Sequence, residues 1–175
     1  MTAYAAFLRG VSPMNANMPE LARAFAAAGF EDVATVASSG NVVFRARGGK
    51  PAALEKKAEA AMGTRLGKTF VTFVRPIAEL EALLAADPFA KLRVPAAAKR
   101  IVTFFRERPA HIPKLPITVD KATIYAVHDR EILTAYVPQP GNPAFMGLIE
   151  KTFGKNVTTR TWDAVARIVA RAPRG

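Results

Sequence analysis

Three separated stretches of this chain gather side chains suited to holding an anion. Arg9-Gly10 ends an apolar run and opens the loop VSPMNAN (11–17), which carries Asn15 and Asn17. Ser38-Ser39-Gly40-Asn41 separates two apolar stretches, and Lys68 follows a helix-like segment that stops at Gly67. An arginine offers a planar fork of donors, and the free N–H groups at a helix N-terminus favour negative charge. Gly10 and Gly40 would let backbone approach a ligand closely. The competing reading is plain turn and cap chemistry, since Asn and Ser close turns and cap helices routinely. The candidate ligand-binding set is Arg9, Gly10, Asn15, Asn17, Ser39, Gly40, Asn41 and Lys68, with Arg160, just ahead of a C-terminal helix, as a more distant member.

Other chemistries find little to stand on. The phosphate-loop pattern G-x-x-x-x-G-K-[ST] and the dinucleotide fingerprint G-x-G-x-x-G are absent, as are H-E-x-x-H and G-x-S-x-G. The two histidines, His111 in a proline-rich loop and His128 at a strand end, lack a metal-ligand spacing, so neither a metal nor a cofactor is expected. His128 and Asp129 are neighbours on a strand and point to opposite faces, which leaves both histidines as surface residues. An enzyme drawing acids from scattered loops, such as Glu20, Asp32 or Asp120, is a third reading, without any visible nucleophile–base pair.

Charge offers a different partner. The formal net charge is +11, with 10 Lys+Arg and 8 Asp+Glu in residues 1–87 (+2) against 15 and 6 in residues 88–175 (+9). A basic C-terminal half could serve as a nucleic-acid-binding module, the alternative to an anionic small molecule at the loops. Its cations are scattered rather than run together, which favours the small molecule. The aromatics of the first sheet read as core rather than as an RNA-stacking platform: NVVFRARGG carries Phe44 but lacks the glycine-aromatic signature of an RNA-recognition strand. The chain has no cysteine, which excludes disulfides and thiol catalysis and suits a reducing, cytoplasmic location. The start, MTAYAAFLRGV, reads as a core strand rather than a signal peptide, and no apolar run is long enough for a membrane span. No oligomeric state follows from composition.

The elements that must position these residues follow from periodicity. YAAFLRGV (4–11) suits a buried strand, and a helix opens at Pro19 with Leu21, Phe25 and Ala28 on one face before Gly29 stops it. VATVA (33–37) and VVFRAR (42–47) are strands around the SSGN turn. A helix to about Leu66 carries Leu54, Ala58, Ala61 and Met62, FVTFVR (70–75) alternates as a strand, and 77–86 forms a further helix.

That order, β-α-β-β-α-β, predicts an α+β fold with a ferredoxin-like N-terminal lobe over 1–87. Residues 88–98 read as a connector, and 99–175 as a second, smaller and basic α+β lobe with a C-terminal helix. In the second lobe, strands are expected at 100–105, 123–128 and 132–137, with RERPAHIPKLP (106–116) as an extended loop and PQPGNP (138–143) as a break. A helix then carries Phe145, Leu148, Ile149 and Phe153. The last one starts near Thr161, with Trp162, Val165, Ala166 and Val169 facing inward. In the first lobe the topology sends residues 9–18, 38–41 and 65–69 to one end of the sheet. Arg9, Asn15, Asn17, Ser38, Ser39, Asn41, Arg65 and Lys68 should therefore share a rim.

FLRGV, MPELARAFAAAGFEDVATVASSGNVVF and TTRTWDAVARIV together resemble the family called domain of unknown function 1697. Members of that family typically read LRGIN at the first strand, M-x-x-L at the first helix, S-G-N-V-x-F at the hairpin and T-x-R-N-W before the last helix; DPF at 87–89 is similar as well. The likeness spans nearly the whole chain and implies a two-lobed α+β fold with a ferredoxin-like first half. It implies no activity, cofactor or partner. Arg9, Gly10, Ser39, Gly40, Asn41, Arg160 and Trp162 match the pattern. The loop 11–17 departs from it by lacking the family's glycines, and Thr161 departs by standing where Asn is common.

Overall fold

Short apolar runs separated by Gly, Pro and Asn become strands, and the helical spacings between them become covering helices. The computed structural model describes residues 1–141 and 144–175 and is a two-lobed α+β fold. By internal contacts Met1–Ala85 and Val165–Gly175 make one compact unit, and Ala86–Ala164 the other.

The first unit runs β1 (Thr2–Leu8), α1 (Met18–Ala27), β2 (Glu31–Thr35), β3 (Asn41–Ala46), α2 (Pro51–Leu66), β4 (Thr72–Pro76) and α3 (Ile77–Ala86, which reaches into the second unit). Its sheet has the order β2-β3-β1-β4 with every pair antiparallel. The register fixes which ends meet, since Phe7 pairs with Asn41 and Leu8 with Thr72. Tyr4, Ala6 and Leu8 alternate onto one face with Val42, Phe44 and Val74, where Leu21 and Phe25 of α1 and Leu54 and Met62 of α2 complete a core. Phe44 is its hub, stacked on Phe30 at 4.3 Å and on Tyr4 at 5.6 Å.

β4 is an edge strand, and its outward N–H groups would template a foreign strand if left open. Two carboxylates of α2 close them. Glu55, only 3% exposed, accepts from the Val74 N–H at 3.0 Å, and Glu59 accepts from the Thr72 N–H at 3.0 Å. The fit is geometric, because the four helical residues from Glu55 to Glu59 advance about 6 Å and two strand residues about 6.7 Å.

The second unit holds a 3-10 turn (Pro88–Lys91), β5 (Lys99–Phe104), β6 (Ile117–Val119), β7 (Ala122–His128), β8 (Glu131–Tyr136), α4 (Ala144–Phe153) and β9 (Thr158–Thr161). α5 (Trp162–Ala170) begins here and ends in the first unit. The strands form an antiparallel sheet in the order β6-β7-β8-β5-β9. Ile124, Ile132 and Phe105 gather with Leu148 and Ile149 of α4 into its core.

Several expectations are corrected. The first strand ends at Leu8, because Gly10 at φ +77° turns the chain away from the sheet. Two strands depart from the expected pattern, β6 directly after the proline-rich stretch and β9 within TTRT. Both are too short to show a period and exist through pairing with β7 and β5. On α5 the buried residues are Trp162, Val165 and Ile168, whereas Ala166 is exposed and Val169 half-buried. Of the expected break at 138–143, Asn142 and Pro143 lie outside the described residues. Among the described residues no helix is long and apolar enough to cross a membrane.

Candidate functional site

The three stretches at the head of the first sheet do meet. The Leu8 N–H donates to Gly40 O at 2.8 Å and the Arg9 N–H to Val71 O at 2.9 Å, tying the exit of β1 to both neighbouring connections. Lys68 Nζ donates to the backbone carbonyl of Asn15, bringing the end of α2 against the loop before α1. Arg9, Gly10, Asn15, Asn17, Ser39, Gly40, Asn41 and Lys68 thus belong to one rim.

Most of their polar atoms hold that rim together. Asn15 Nδ2 donates to Gly10 O at 2.7 Å while its Oδ1 accepts from the Ser12 N–H at 2.8 Å, so one amide closes the whole loop. Asn17 caps α1, accepting from the Glu20 N–H at 3.1 Å. Asn41 is 2% exposed and donates to Val36 O at 3.1 Å and to Ser39 Oγ at 3.2 Å, which shapes the SSGN turn from within. Gly40 has φ +79°, and a Cβ there would sit 2.7 Å from Val11 Cβ and 3.2 Å from Leu8 Cβ. This glycine admits its own neighbours rather than a ligand. Gly10, at φ +77°, has open space where a Cβ would go.

What remains open is narrower than the whole rim. A cleft of about 530 Å³ is lined by Pro13, Met14, Asn15, Ala16, Asn17, Glu20, Arg65, Leu66 and Lys68. Arg9, Gly10, Ser39, Gly40 and Asn41 do not line it. Arg65, in the last turn of α2, is exposed and has no hydrogen bond or ion pair among the described residues. Lys68 lies 5.8 Å from the Phe70 ring, which steadies its stem. Glu20 is the opposing charge, and it is paired with Arg23 one turn along α1. Met14, 95% exposed, supplies an apolar lip that residue-type reasoning did not single out.

Arg160 is elsewhere. It sits on β9 in the second unit, where its Nη1 donates to Thr158 Oγ1 at 2.8 Å and to Thr159 O at 2.7 Å. Burial strips water from the guanidinium and lowers its pKa from the ordinary arginine range to about 10. It is not the free side chain that a place ahead of a helix predicts. Thr161 does act as a cap, accepting from the Ala164 N–H at 3.1 Å. Among the described residues no three His, Asp or Glu side chains converge as a metal site.

A conserved bacterial protein from Streptococcus pneumoniae, of solved structure, superposes with a TM-score of 0.70 at 19% identity, over 97% of each chain. At that identity the likeness speaks for the fold. No curated protein matches the chain. The model of one family matches residues 1–132, which include the whole rim and every strand of the first sheet, and the chain therefore belongs to the family described as protein of unknown function, DUF1697.

Proposed function

We propose that the chain binds a small polar anion in the cleft between the loop ahead of α1 and the C-terminal turn of α2. One observation carries this reading: Arg65, exposed and without a partner among the described residues, lines the same 530 Å³ cleft as Lys68 and the Asn17-capped start of α1. Two cations and a helix N-terminus favour a phosphate or carboxylate over a neutral ligand. The Glu20–Arg23 pair reduces the one opposing charge.

Isothermal titration with inorganic phosphate and with small organic acids tests it. Saturable heat is expected from the native chain, with affinity about tenfold weaker for Arg65→Ala and for Lys68→Ala, the usual cost of a charge-assisted hydrogen bond. Absence of heat with every anion, or affinities unchanged by both substitutions, would remove the reading.

The nucleic-acid alternative rested on a basic C-terminal half, and that asymmetry does not carry over to the contact units. The first unit holds 13 Lys+Arg and 7 Asp+Glu (+6), the second 12 and 7 (+5). Retention of an oligonucleotide with a steep loss of affinity in salt would nevertheless replace the small anion as the partner.

A further inference from the structure

A second cavity, of about 550 Å³, lies wholly within the second unit, between the exit of β5 and the C-terminal end of α4. Its character is opposite to that of the rim cleft. Phe105 and Phe153 meet edge to face in its wall, with centroids 5.5 Å apart and planes at 74°. Phe105 is anchored by its backbone N–H, which donates to Arg130 O at 2.9 Å, and Phe153 is only half-buried. A partly open ring backed by a fixed one is a surface on which a flat ligand can lie.

Around that wall stand Glu107 and His111 from the proline-rich loop and Asn156 from the segment after α4. All three are exposed, and none has a hydrogen bond or ion pair among the described residues. Their chemistry is complementary: a carboxylate that only accepts, an imidazole, and an amide that donates and accepts side by side. Pro109, Pro113 and Pro116 restrict the loop carrying His111, so less entropy is lost when a ligand holds it.

Electrostatics argue against an anion here. α4 ends at Gly154, whose N–H donates to Glu150 O at 2.8 Å, and the other last-turn carbonyls carry the negative end of the helix dipole. Arg106 and Glu107 bring opposite charges to the lining. Such a cavity rewards N–H donors on a ligand without net charge.

We infer that this cavity binds a flat, neutral heteroaromatic group whose edge carries adjoining N–H donors and nitrogen or carbonyl acceptors, the chemistry shared by a purine base and a pyridine carboxamide. The ring lies against Phe153, its donors meet Glu107, and Asn156 pairs with a donor–acceptor edge. His111 supplies the remaining polar contact. This site is independent of the rim cleft and of the reading given to it.

The chain has only two histidines, so their imidazole proton resonances report the cavity directly. The full chain is titrated at constant pH with adenine, with nicotinamide, and with benzoate as an anionic aromatic control. The resonance that disappears in His111→Gln should shift saturably with adenine or nicotinamide, while that of His128 stays in place. Preference for adenine points to a base-bearing source, and preference for nicotinamide to a carboxamide. Glu107→Gln and Asn156→Ala should each weaken binding about fivefold, the worth of one hydrogen bond. The inference is overturned if neither heteroaromatic moves His111, if benzoate alone does, if both histidines move alike, or if both substitutions leave the affinity unchanged.

Discussion

The rim of the first unit and the cavity of the second put their polar side chains to different ends. At the rim, Asn15, Asn17 and Asn41 each satisfy backbone or turn partners, and Gly40 admits Val11 and Leu8. In the cavity, Glu107, His111 and Asn156 satisfy none among the described residues. A dense run of polar and glycine residues is therefore a poor guide to ligand contact. The S-G-N turn, one part of the family resemblance, is a device of folding. Arg65 differs from these rim residues, being exposed and without a partner among the described residues.

Substitutions can break that contrast. The largest effect is expected at Gly40→Ala, where a 2.7 Å contact and a left-handed backbone combine to cost about 3 kcal/mol in urea unfolding. Gly10→Ala, equally left-handed but unobstructed, should cost about 1 kcal/mol. Equal losses would mean that Gly40 is not held by its neighbours. Next come two buried polar groups, Asn41→Ala and Glu55→Ala, at about 2 kcal/mol each, since the first opens a turn and the second strands the Val74 N–H at a sheet edge. For Glu55→Ala, light scattering should also rise at high protein concentration as the edge of β4 becomes available.

In the second unit Arg160 is a polar side chain engaged with the backbone and a side chain of β9. Its folded pKa of about 10 lies below that of an ordinary arginine, so from about pH 10 upward the unfolded state binds more protons and stability rises with pH. Relative to Arg160→Met, the native chain should gain about 1 kcal/mol between pH 9.5 and 11 in chemical unfolding. A flat difference would show that the guanidinium is well solvated. The smallest effects belong to Glu107→Gln, His111→Ala and Asn156→Ala, each expected within about 0.5 kcal/mol of the native stability. A loss of 2 kcal/mol at any of them would move that residue into the structural class, and the contrast would blur.

Local pattern and topology were legible in the chain itself. Strands and helices of the first unit appear where apolar periodicity and Gly, Pro and Asn punctuation put them, since side-chain period and turn chemistry act over a few residues. The convergence of Arg9, Asn41 and Lys68 at one end followed from strand direction alone. β6 and β9 were not legible, because three- and four-residue strands owe their existence to a partner far along the chain. Nor was the return of Val165–Gly175 to the first unit, which redistributes three arginines and evens out the charge.

The amino-acid order by itself determined the two-lobed α+β architecture, the meeting of the rim loops and the family. Tertiary structure decided which polar atoms are engaged and which are left over: Asn15 closed on Gly10, Glu55 on the edge of β4, Arg65 and His111 on nothing among the described residues. A side chain's type sets what it is able to bond, whereas its partner is whatever the folded backbone brings within about 3 Å, and that distance is a property of the whole chain.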